Sequence, residues 1–545
     1  MATITAIAGS APLITALRNA ACYGHPVESI SVLETHISWV VLTGKHAYKI
    51  KKPVNLGFLD FTTLDARRHY CEEELRLNRR LAPSLYEAVV PITGTIDTPR
   101  VAGNGPILDY AVKMRQFPQT ALASGLLETS ALTATHIDAL AARIATFHAN
   151  TGTSACGCPY GSPEAVIAPA RDNVVALRKL FPEAADQARI DALRDWTDQE
   201  YHKHWSHFVA RQAQGCVREC HGDLHLGNIV LLDGQLTPFD GIEFDPALRW
   251  IDVMSEVAFL VMDLLDHERM DFANRFLNAY LESSGDYDGL AVLRFYLVYR
   301  AMVRAKVHAL RAVQAGAAGA ERERLLGASR GYIALARRCT QPAHGNHPPI
   351  IVMHGLSGSG KTVLAQALAE YTGGIHLRSD VERKRLTGLA PLARSGSALA
   401  SGIYGAELTL ATYRRLLDLA RLVIHAGYAV IVDATCLHAW QRDLFRREAE
   451  TRHAPFVIVD VTAPEATLRA RIEARQSAGR DASEADQAVL TRQLANREPL
   501  TRDDLQATLR IDTARTDAEA TLIDAGAALC KRLNATVQTD APPLT

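Results

Sequence analysis

Apolar residues in the C-terminal part of the chain form short continuous runs, and helical periodicity separates them. A strand that helices cover on both faces has such a run, as in a parallel sheet. Helical spacing begins at Lys361 and recurs over Leu408–Ala426. Strands that alternate with helices predict βαβ units and a doubly wound parallel α/β sheet. The predicted strands are Ile350–His354, Gly374–Arg378, Ala429–Asp433, Phe456–Val461 and Thr508–Ile511.

The N-terminal part has a different pattern. Alternation on both sides of a Thr-Gly turn predicts a β-hairpin, and helical spacing dominates after Phe117. We therefore predict a small β-rich lobe followed by a larger helical lobe, which is an α+β arrangement. The predicted elements are the hairpin strands Trp39–Leu42 and Ala47–Lys51 and the helices Ala66–Leu81, Ala131–Ala149 and Ala291–Ala312.

A Pro-, Gly- and His-rich segment, Arg337–Pro349, divides the chain, which at 545 residues exceeds one ordinary domain. We predict an N-terminal extension at 1–25, a first domain at 26–338, a linker at 339–348, a second domain at 349–535 and a tail at 536–545. Within the first domain, the small lobe covers about 26–118 and the helical lobe about 119–338.

Composition narrows the class of protein. Hydrophobic residues make up 48% and charged residues 22%, with a net charge of −1, as in soluble globular proteins and unlike those that clamp long nucleic acids. The chain shows no basic signal-peptide start and no apolar stretch of membrane-spanning length. Nine cysteines, an odd number, are scattered along the chain, which predicts reduced thiols rather than disulfides. Neither Cys156/Cys158 nor Cys216/Cys220 has the paired spacing of a zinc site. We expect a cytoplasmic protein without a membrane partner.

The most specific motif is G-x-x-x-x-G-K-T between a predicted strand and a predicted helix. In this context the backbone N–H groups and the helix N-terminus bind phosphate. The pattern predicts that Lys361 reaches the β- and γ-phosphates of a nucleoside triphosphate, most simply ATP, and that the Thr362 hydroxyl ligates Mg²⁺. The motif consists of Gly355, Leu356, Ser357, Gly358, Ser359, Gly360, Lys361 and Thr362.

Two aspartates end the neighbouring strands, where ligands bind in open α/β sheets. Asp380 can accept the proton of an attacking hydroxyl, and Arg383 lies one helical turn further on. Asp433 is a candidate for Mg²⁺ binding. The alternatives are a helix N-cap for Asp380 and a turn cap for Asp433.

Basic residues further along the chain are candidates for a lid over the phosphates. Arg471 and Arg475 are four residues apart on one predicted helical face, and Arg480 follows them. We predict a catalytic contact for Arg475 and a nucleotide contact for Arg480. The alternative is a solvated basic helix face.

The order of these parts over 349–500 resembles the small P-loop kinases that phosphorylate a hydroxyl, namely gluconate kinase, polynucleotide 5′-kinase and zeta-toxin-like enzymes. The resemblance implies that Asp380 is the catalytic base and that lid arginines stabilise the transferred phosphoryl group.

A second motif, HGDLHLGN followed by PFDG, lies in the first part of the chain. It places Asp223 five residues before Asn228, and Asp240 twelve residues after that. This spacing suits phosphotransfer, with Asp223 acting on the acceptor hydroxyl while Asn228 and Asp240 hold Mg²⁺. Each residue alone would more often be a cap or a turn residue.

This motif resembles the aminoglycoside phosphotransferases and the related choline and homoserine kinases over about 26–335. The resemblance implies a bilobal protein-kinase-like fold in which a strand lysine binds the α- and β-phosphates and pairs with a helix glutamate. Lys49 is the first candidate, and Lys51 on the same strand face remains open. Among Glu72, Glu73 and Glu74, the predicted partner is Glu74. No G-x-G-x-x-G loop precedes Lys49, which departs from the kinase pattern.

Three functions follow as hypotheses. The first is a bifunctional kinase that transfers the γ-phosphoryl group of ATP, with Mg²⁺, to a hydroxyl of a small molecule at both sites. The second is a single active P-loop kinase whose N-terminal half only binds substrate or regulates. The third is a nucleic-acid end kinase, against which the net charge of −1 argues.

Overall fold

The structure is a computed structural model. It describes residues 12–57, 59–154, 158–314, 319–342, 344–345, 347–391, 393, 405–478, 482–514 and 518–539. Contacts group the chain into two compact units. The first comprises 1–187, 197–263 and 299–306, and the second comprises 188–196, 264–298 and 307–545.

A six-stranded antiparallel sheet organises the first unit, in the order β1-β2-β3-β6-β4-β5. The predicted hairpin is present as β2 and β3, with Val40 opposite Lys49. The strands are β1 (Ser31–Glu34), β2 (Ser38–Leu42), β3 (His46–Lys51), β4 (Tyr86–Gly94), β5 (Pro99–Val101) and β6 (Ile107–Arg115).

Two short antiparallel pairs follow in the same unit, and they position the second motif. The first pair is β7 (Val217–Glu219) with β10 (Trp250–Asp252), and the second is β8 (Ile229–Leu232) with β9 (Gln235–Pro238). The motif therefore lies in the loops between these strands.

Helices form most of the remaining chain up to residue 266. Thr63 caps α2, which packs against β6 and presents two charged side chains, those of Arg67 and Glu74, to the interior. These helices are α1 (Pro12–Ala16), α2 (Leu64–Asn78), α3 (Ala123–Glu128), α4 (Ala134–Asn150), α5 (Pro163–Leu180), α6 (Ala184–Lys203), α7 (Trp205–Ala213), α8 (Pro246–Arg249) and α9 (Val253–Asp266).

The second unit contains a five-stranded parallel sheet in the order β12-β13-β11-β14-β15. The predicted buried runs form these strands, and the central three have almost fully buried side chains, as strands covered on both faces do. They are β11 (Ile350–His354), β12 (Ile375–Arg378), β13 (Val430–Asp433), β14 (Phe456–Thr462) and β15 (Thr508–Asp512).

Helices cover this sheet, and the predicted helices at Lys361 and Leu408–Ala426 are present as α13 and α15. Among the described residues, no helix has the length and apolar character needed to cross a membrane. The remaining helices are α10 (Met270–Ser284), α11 (Leu290–Gln314), α12 (Ala320–Cys339), α13 (Lys361–Thr372), α14 (Ser379–Leu386), α15 (Ala406–His425), α16 (Ala439–Thr451), α17 (Glu465–Ala478), α18 (Gln487–Asn496), α19 (Arg502–Gln506) and α20 (Ala518–Thr539).

Helix α10 packs within the second unit although it precedes the predicted linker by more than fifty residues. The amide of Asn278 donates to the Gly374 carbonyl at 3.0 Å and accepts from the His376 N–H at 2.7 Å. Glu282 pairs with Arg378 at 2.9 Å. Asn274 donates to the Glu370 carbonyl at 2.9 Å, so three consecutive turns of α10 contact α13 and β12. The domain boundaries at 338 and 349 stay a prediction.

Candidate functional sites

The turn from β11 into α13 has the backbone of a phosphate-binding loop. Gly355, Gly358 and Gly360 have φ angles of 143°, 82° and 91°, which only glycine adopts without strain. A Cβ on Gly355 would lie 2.4 Å from the Val461 carbonyl oxygen. The Gly355 N–H donates to the Thr435 carbonyl at 3.1 Å, which anchors the start of the loop. The loop is therefore shaped by its glycines and held by the ends of adjacent strands.

Lys361 opens α13 inside this loop. Its Nζ donates to the Leu356 carbonyl at 2.8 Å. Burial lowers the pKa of Lys361 to about 8, although the charges of Asp433 and Asp380 act in the opposite direction. The buried Ser359 hydroxyl has no hydrogen-bond partner among the described residues. A lysine held by its own loop and an unsatisfied hydroxyl fit a bound phosphate group.

A cavity of about 880 Å³ opens beside the loop, and Thr362, Asp380 and Asp433 line it. Asp433 ends β13 and lies 3.2 Å from His376 Nε2. Burial would raise the pKa of Asp433, but the hydrogen bond and charge of His376 outweigh it and lower the pKa. Thr362 and Asp433 are therefore an oxygen pair suited to Mg²⁺.

Asp380 does not cap α14, because the helix begins at Ser379 and its N-cap position is Arg378. That alternative is wrong, and the carboxylate instead faces the cavity. Its charge acts on Lys361, so the base candidate lies near the phosphate loop.

The lid candidates contact backbone carbonyls. Arg471 donates to the carbonyls of Gly358 and Ser359, each at 3.4 Å, and to the Thr513 hydroxyl at 2.9 Å. Arg475 donates to the Ala485 carbonyl at 2.7 Å. Both line the cavity, whereas Arg480 lies outside the described residues. The contacts of Arg471 hold α17 against the phosphate loop.

Two further contacts at this site had no signal in the sequence. Gln493 of α18 accepts a hydrogen bond from the Ser357 N–H at 2.8 Å. His376 faces Asp433 from β12. Neither residue belongs to a motif, and only the folded chain brings them to the loop.

In the first unit, both candidate lysines of β3 contact Glu74. Lys49 and Lys51 each lie 2.8 Å from one of its carboxylate oxygens. Glu72 and Glu73 instead pair with Arg68 and Arg76 on the helix surface. The structure thus places Glu74, the predicted helix glutamate, between the two lysines.

Each lysine also has a carboxylate of its own. Lys49 pairs with Asp240, and Lys51 pairs with Glu243. Burial would raise the pKa of Glu74, but the two ammonium groups lower it to about 2. The nearby carboxylates outweigh burial and raise the pKa of Lys49 well above its usual value. These five side chains form one ion network, which we call the β3 network.

Asp240, a member of the β3 network, has a left-handed backbone conformation. Its φ is 64°, and its N–H donates to the Tyr86 hydroxyl at 3.0 Å. Its side chain is 41% exposed, whereas that of Glu74 is fully buried. The Asp240 carboxylate thus pairs with Lys49 and is also partly open to solvent.

Asp223, the predicted catalytic residue, and Asn228, a predicted metal ligand, are in contact. The Asn228 amide donates to the Asp223 carboxylate at 2.9 Å and to its carbonyl at 3.1 Å. His225 Nε2 lies 3.4 Å from the same carboxylate. Burial would raise the pKa of Asp223, but the charge of His225 and more distant cations hold it well below its usual value. Asp223 is therefore an ionised group in a fixed orientation.

Residues of α9 hold the loop that carries Asp223. Glu256 accepts from the Gly222 N–H at 2.7 Å and lies 3.0 Å from His148, and Asp263 accepts from the Leu226 N–H at 2.8 Å. Cys220 lies close enough to His148 and Glu256 to share a metal ion. The hydrogen bonds already account for both partners, so this cluster acts as a support for the loop.

Comparison with known proteins gives one family model and full-length relatives. The model described as "AAA domain" matches residues 350–500. The uncharacterized proteins Rv2004c of Mycobacterium tuberculosis and Mb2027c of Mycobacterium bovis are each 30% identical over 499 residues, which cover 90% of this chain and 95% of theirs.

Similar solved structures match one part of the chain each. A gluconokinase from Sinorhizobium meliloti is 21% identical and covers 36% of this chain and 99% of its own, with a TM-score of 0.27. The amicoumacin kinase hAmiN is 16% identical and covers 60% of this chain and 93% of its own, with a TM-score of 0.37. At these values the similarity carries no functional argument.

Proposed function

The chain belongs to the same family as these mycobacterial proteins, and we propose that it is an ATP-dependent phosphotransferase whose P-loop site phosphorylates a hydroxyl group of a small molecule. The observation that carries this proposal is the cavity in which Lys361, Thr362, Asp433 and Asp380 meet.

The residues divide the work of phosphoryl transfer. The loop N–H groups and Lys361 bind the phosphates, and Arg475 adds positive charge from α17. Mg²⁺ held by Thr362 and Asp433 would neutralise the charge of the phosphates. Asp380 orients the acceptor hydroxyl and takes its proton. Catalysis then depends on positioning and on electrostatic stabilisation of the transition state.

We further propose that the first unit is a second phosphotransfer site. The specific observation is that the β3 network joins Lys49, Glu74 and Asp240 in one chain of ion pairs, while Asn228 orients Asp223. In this site Lys49 would bind phosphate, Asn228 and Asp240 would hold Mg²⁺ to neutralise the phosphates, and Asp223 would orient a hydroxyl. The competing function is a first unit that binds substrate without catalysis.

Titration calorimetry of the full chain with a non-hydrolysable ATP analogue and Mg²⁺ tests both proposals. The bifunctional enzyme binds about two equivalents, of which Lys361→Ala removes one and Asp240→Asn the other. One equivalent that Lys361→Ala abolishes would exclude nucleotide binding by the first unit. No binding at all would overturn the phosphotransferase proposal.

Transfer of labelled phosphate to a panel of hydroxyl compounds tests the catalytic roles. Asp380→Asn lowers kcat at the P-loop site by about 10²–10⁴-fold while the analogue still binds, since the base acts only in the transition state. Asp223→Asn does the same for the first unit. Asp443→Asn, on α16 and with a half-exposed side chain, is the matched control.

A further inference from the structure

A second cavity, of about 470 Å³, is a groove in the first unit between the residues that follow α2 and one face of α4. The buried side chains of Leu81 and Phe147 supply its apolar surface, and the exposed Ala142 also lines it. Cavities of this volume hold small organic molecules, and apolar surface favours a ligand with an apolar body. The described side chains of both candidate phosphotransfer sites lie outside its lining, so the groove is a separate site.

Two guanidinium groups, those of Arg80 and Arg143, line the groove, whereas its described lining residues include no carboxylate. Arg80 pairs with Glu219 at 3.1 Å. Arg76 and Arg249 also pair with Glu219, and both lie within 4 Å of Glu73. Three arginines thus share two carboxylates behind Arg80. This pairing leaves a positive excess on that side of the groove.

Arg80 has a fixed position in the groove. Its Nη1 donates to the Glu219 carbonyl at 2.8 Å, and its Nη2 donates to the Cys220 carbonyl at 3.3 Å. The carbon of its guanidinium lies 5.1 Å from the centroid of the Phe147 ring, which is an attractive cation–π distance. The contacts that hold this wall come from the chain itself, so the groove is formed before a ligand binds.

Arg143 has hydrogen-bond partners but no counter-ion among the described residues. Its Nη1 donates to the Leu236 carbonyl at 3.3 Å and to the Thr237 hydroxyl at 3.2 Å, and its Nη2 donates to the Leu81 carbonyl. All three acceptors are neutral, and burial alone lowers the pKa of Arg143. A guanidinium has five N–H groups, so donors remain for a ligand. A half-buried cation with neutral partners favours an anion.

The uncharged polar side chains of the groove direct hydrogen bonds to the backbone. The hydroxyls of Thr146 and Thr151 donate to the carbonyls of Ala142 at 2.8 Å and of Glu219 at 3.0 Å. The Asn150 amide donates to the Thr146 carbonyl at 2.9 Å. Arg143 is therefore the main charged donor for a ligand, and a guanidinium binds a carboxylate through charge-assisted hydrogen bonds.

We propose that this groove binds an organic carboxylate, whose anionic group contacts Arg143 while its apolar body lies over Leu81 and Phe147. An inorganic anion would leave the apolar surface in water, and a neutral apolar molecule would leave Arg143 without a counter-ion. Arg80 contributes further positive charge. The inference is independent of the proposed phosphotransfer, because the groove uses none of the described residues assigned to it.

Three probes separate the two parts of this recognition. The first, 4-phenylbutyrate, has both an anionic group and an apolar body, whereas 4-phenylbutanol has only the body and acetate has only the anion. Titrated into the full-length protein and followed by ligand-observed NMR, 4-phenylbutyrate should bind at least about tenfold more tightly than either of the other two. Equal affinity for the acid and one of the other probes, or no binding of the acid, would overturn the inference.

Two variants locate the binding in this groove. Ala142→Trp introduces an indole from an exposed position on α4 and should abolish binding of 4-phenylbutyrate. Arg143→Gln should weaken binding at least about tenfold, and Arg143→Lys should weaken it less, because lysine keeps the charge without the planar fork. Arg68→Gln, at an exposed position on α2, is the control and should change nothing. Unchanged binding in Ala142→Trp refutes the inference, and this variant decides the test if Arg143→Gln does not fold.

Discussion

The P-loop site and the β3 network differ in whether backbone or side chains determine their geometry. Backbone shapes the first, because glycines with positive φ curl the loop and Lys361 meets only a carbonyl of that loop. Side-chain charges shape the second, because Lys49 and Lys51 share Glu74 and each has a further carboxylate. Under the proposed function, phosphate would complete the first site, whereas Mg²⁺ at the second would have to compete with Lys49 for Asp240. The P-loop site is arranged to bind an anion, whereas the charged side chains of the β3 network pair with one another.

The largest expected effect is the loss of stability when Lys51 of the β3 network is replaced. Lys51→Met leaves Glu74 with one cation and Glu243 with none, and both carboxylates are buried. Breaking a buried ion pair by removing one partner costs about 3–5 kcal/mol. Urea denaturation, with hydrogen exchange of the β3 amides to locate the effect, should show this loss of the free energy of unfolding.

Lys49→Met tests how much stability the other lysine of the β3 network contributes. It should cost less stability than Lys51→Met, because the Asp240 side chain is 41% exposed and can be solvated by water. Lys45→Met, at an exposed position before β3, is the control and should change stability by less than about 0.5 kcal/mol. Equal losses for Lys49 and Lys51 would contradict the division of the network into a solvated and a buried half.

The next effect is on nucleotide affinity as a function of pH. Burial lowers the pKa of Lys361 to about 8, and only its protonated form binds phosphate strongly. Affinity at the P-loop site should thus be full below about pH 8 and fall about tenfold by about pH 9. Lys49, whose pKa is raised, stays charged over this range, so affinity at the first unit should not change.

Titration calorimetry with an ATP analogue on two full-length variants measures the affinity of each site against pH separately. Asp240→Asn reports the P-loop site, and Lys361→Ala reports the first unit. A flat profile for Asp240→Asn would show that Lys361 is not a titrating phosphate ligand.

The smallest effect is the stability of a Lys361 variant. The charge of Lys361 is buried beside a carbonyl rather than in an ion pair, so Lys361→Met should change the free energy of unfolding by less than about 0.5 kcal/mol, or raise it. The same substitution in the other unit, Lys51→Met, is its counterpart. A loss above about 2 kcal/mol would mean that this lysine supports the fold as well as the ligand.

Local sequence predicted much of this architecture. The continuous apolar runs became β11 to β15, and a parallel sheet buried on both faces explains why those runs lack alternation. The phosphate loop was recognisable because glycine, lysine and threonine act within eight consecutive residues. Period-two alternation placed Lys49 and Lys51 on one face of β3, and both contact Glu74.

Contacts between distant segments could not be predicted in this way. Lys49 pairs with Asp240 and Lys51 pairs with Glu243, and each carboxylate lies about 190 residues away along the chain. Gln493 reaches the Ser357 N–H across 136 residues. Such pairs have no spacing rule, because the tertiary fold alone sets them. The metal and catalytic roles assigned to these residues stay predictions until the variants above are measured.

The contact of Asn278 with β12 has a consequence for association between molecules. Strand β12 lies at one margin of its sheet, where unpaired N–H and C=O groups can recruit a strand from another chain. The Asn278 amide occupies the Gly374 carbonyl and the His376 N–H there. A fragment that begins at residue 349 would keep the whole phosphate loop but lose this cover. We expect such a fragment to self-associate through β12, because the Asn278 amide would no longer occupy these two backbone groups.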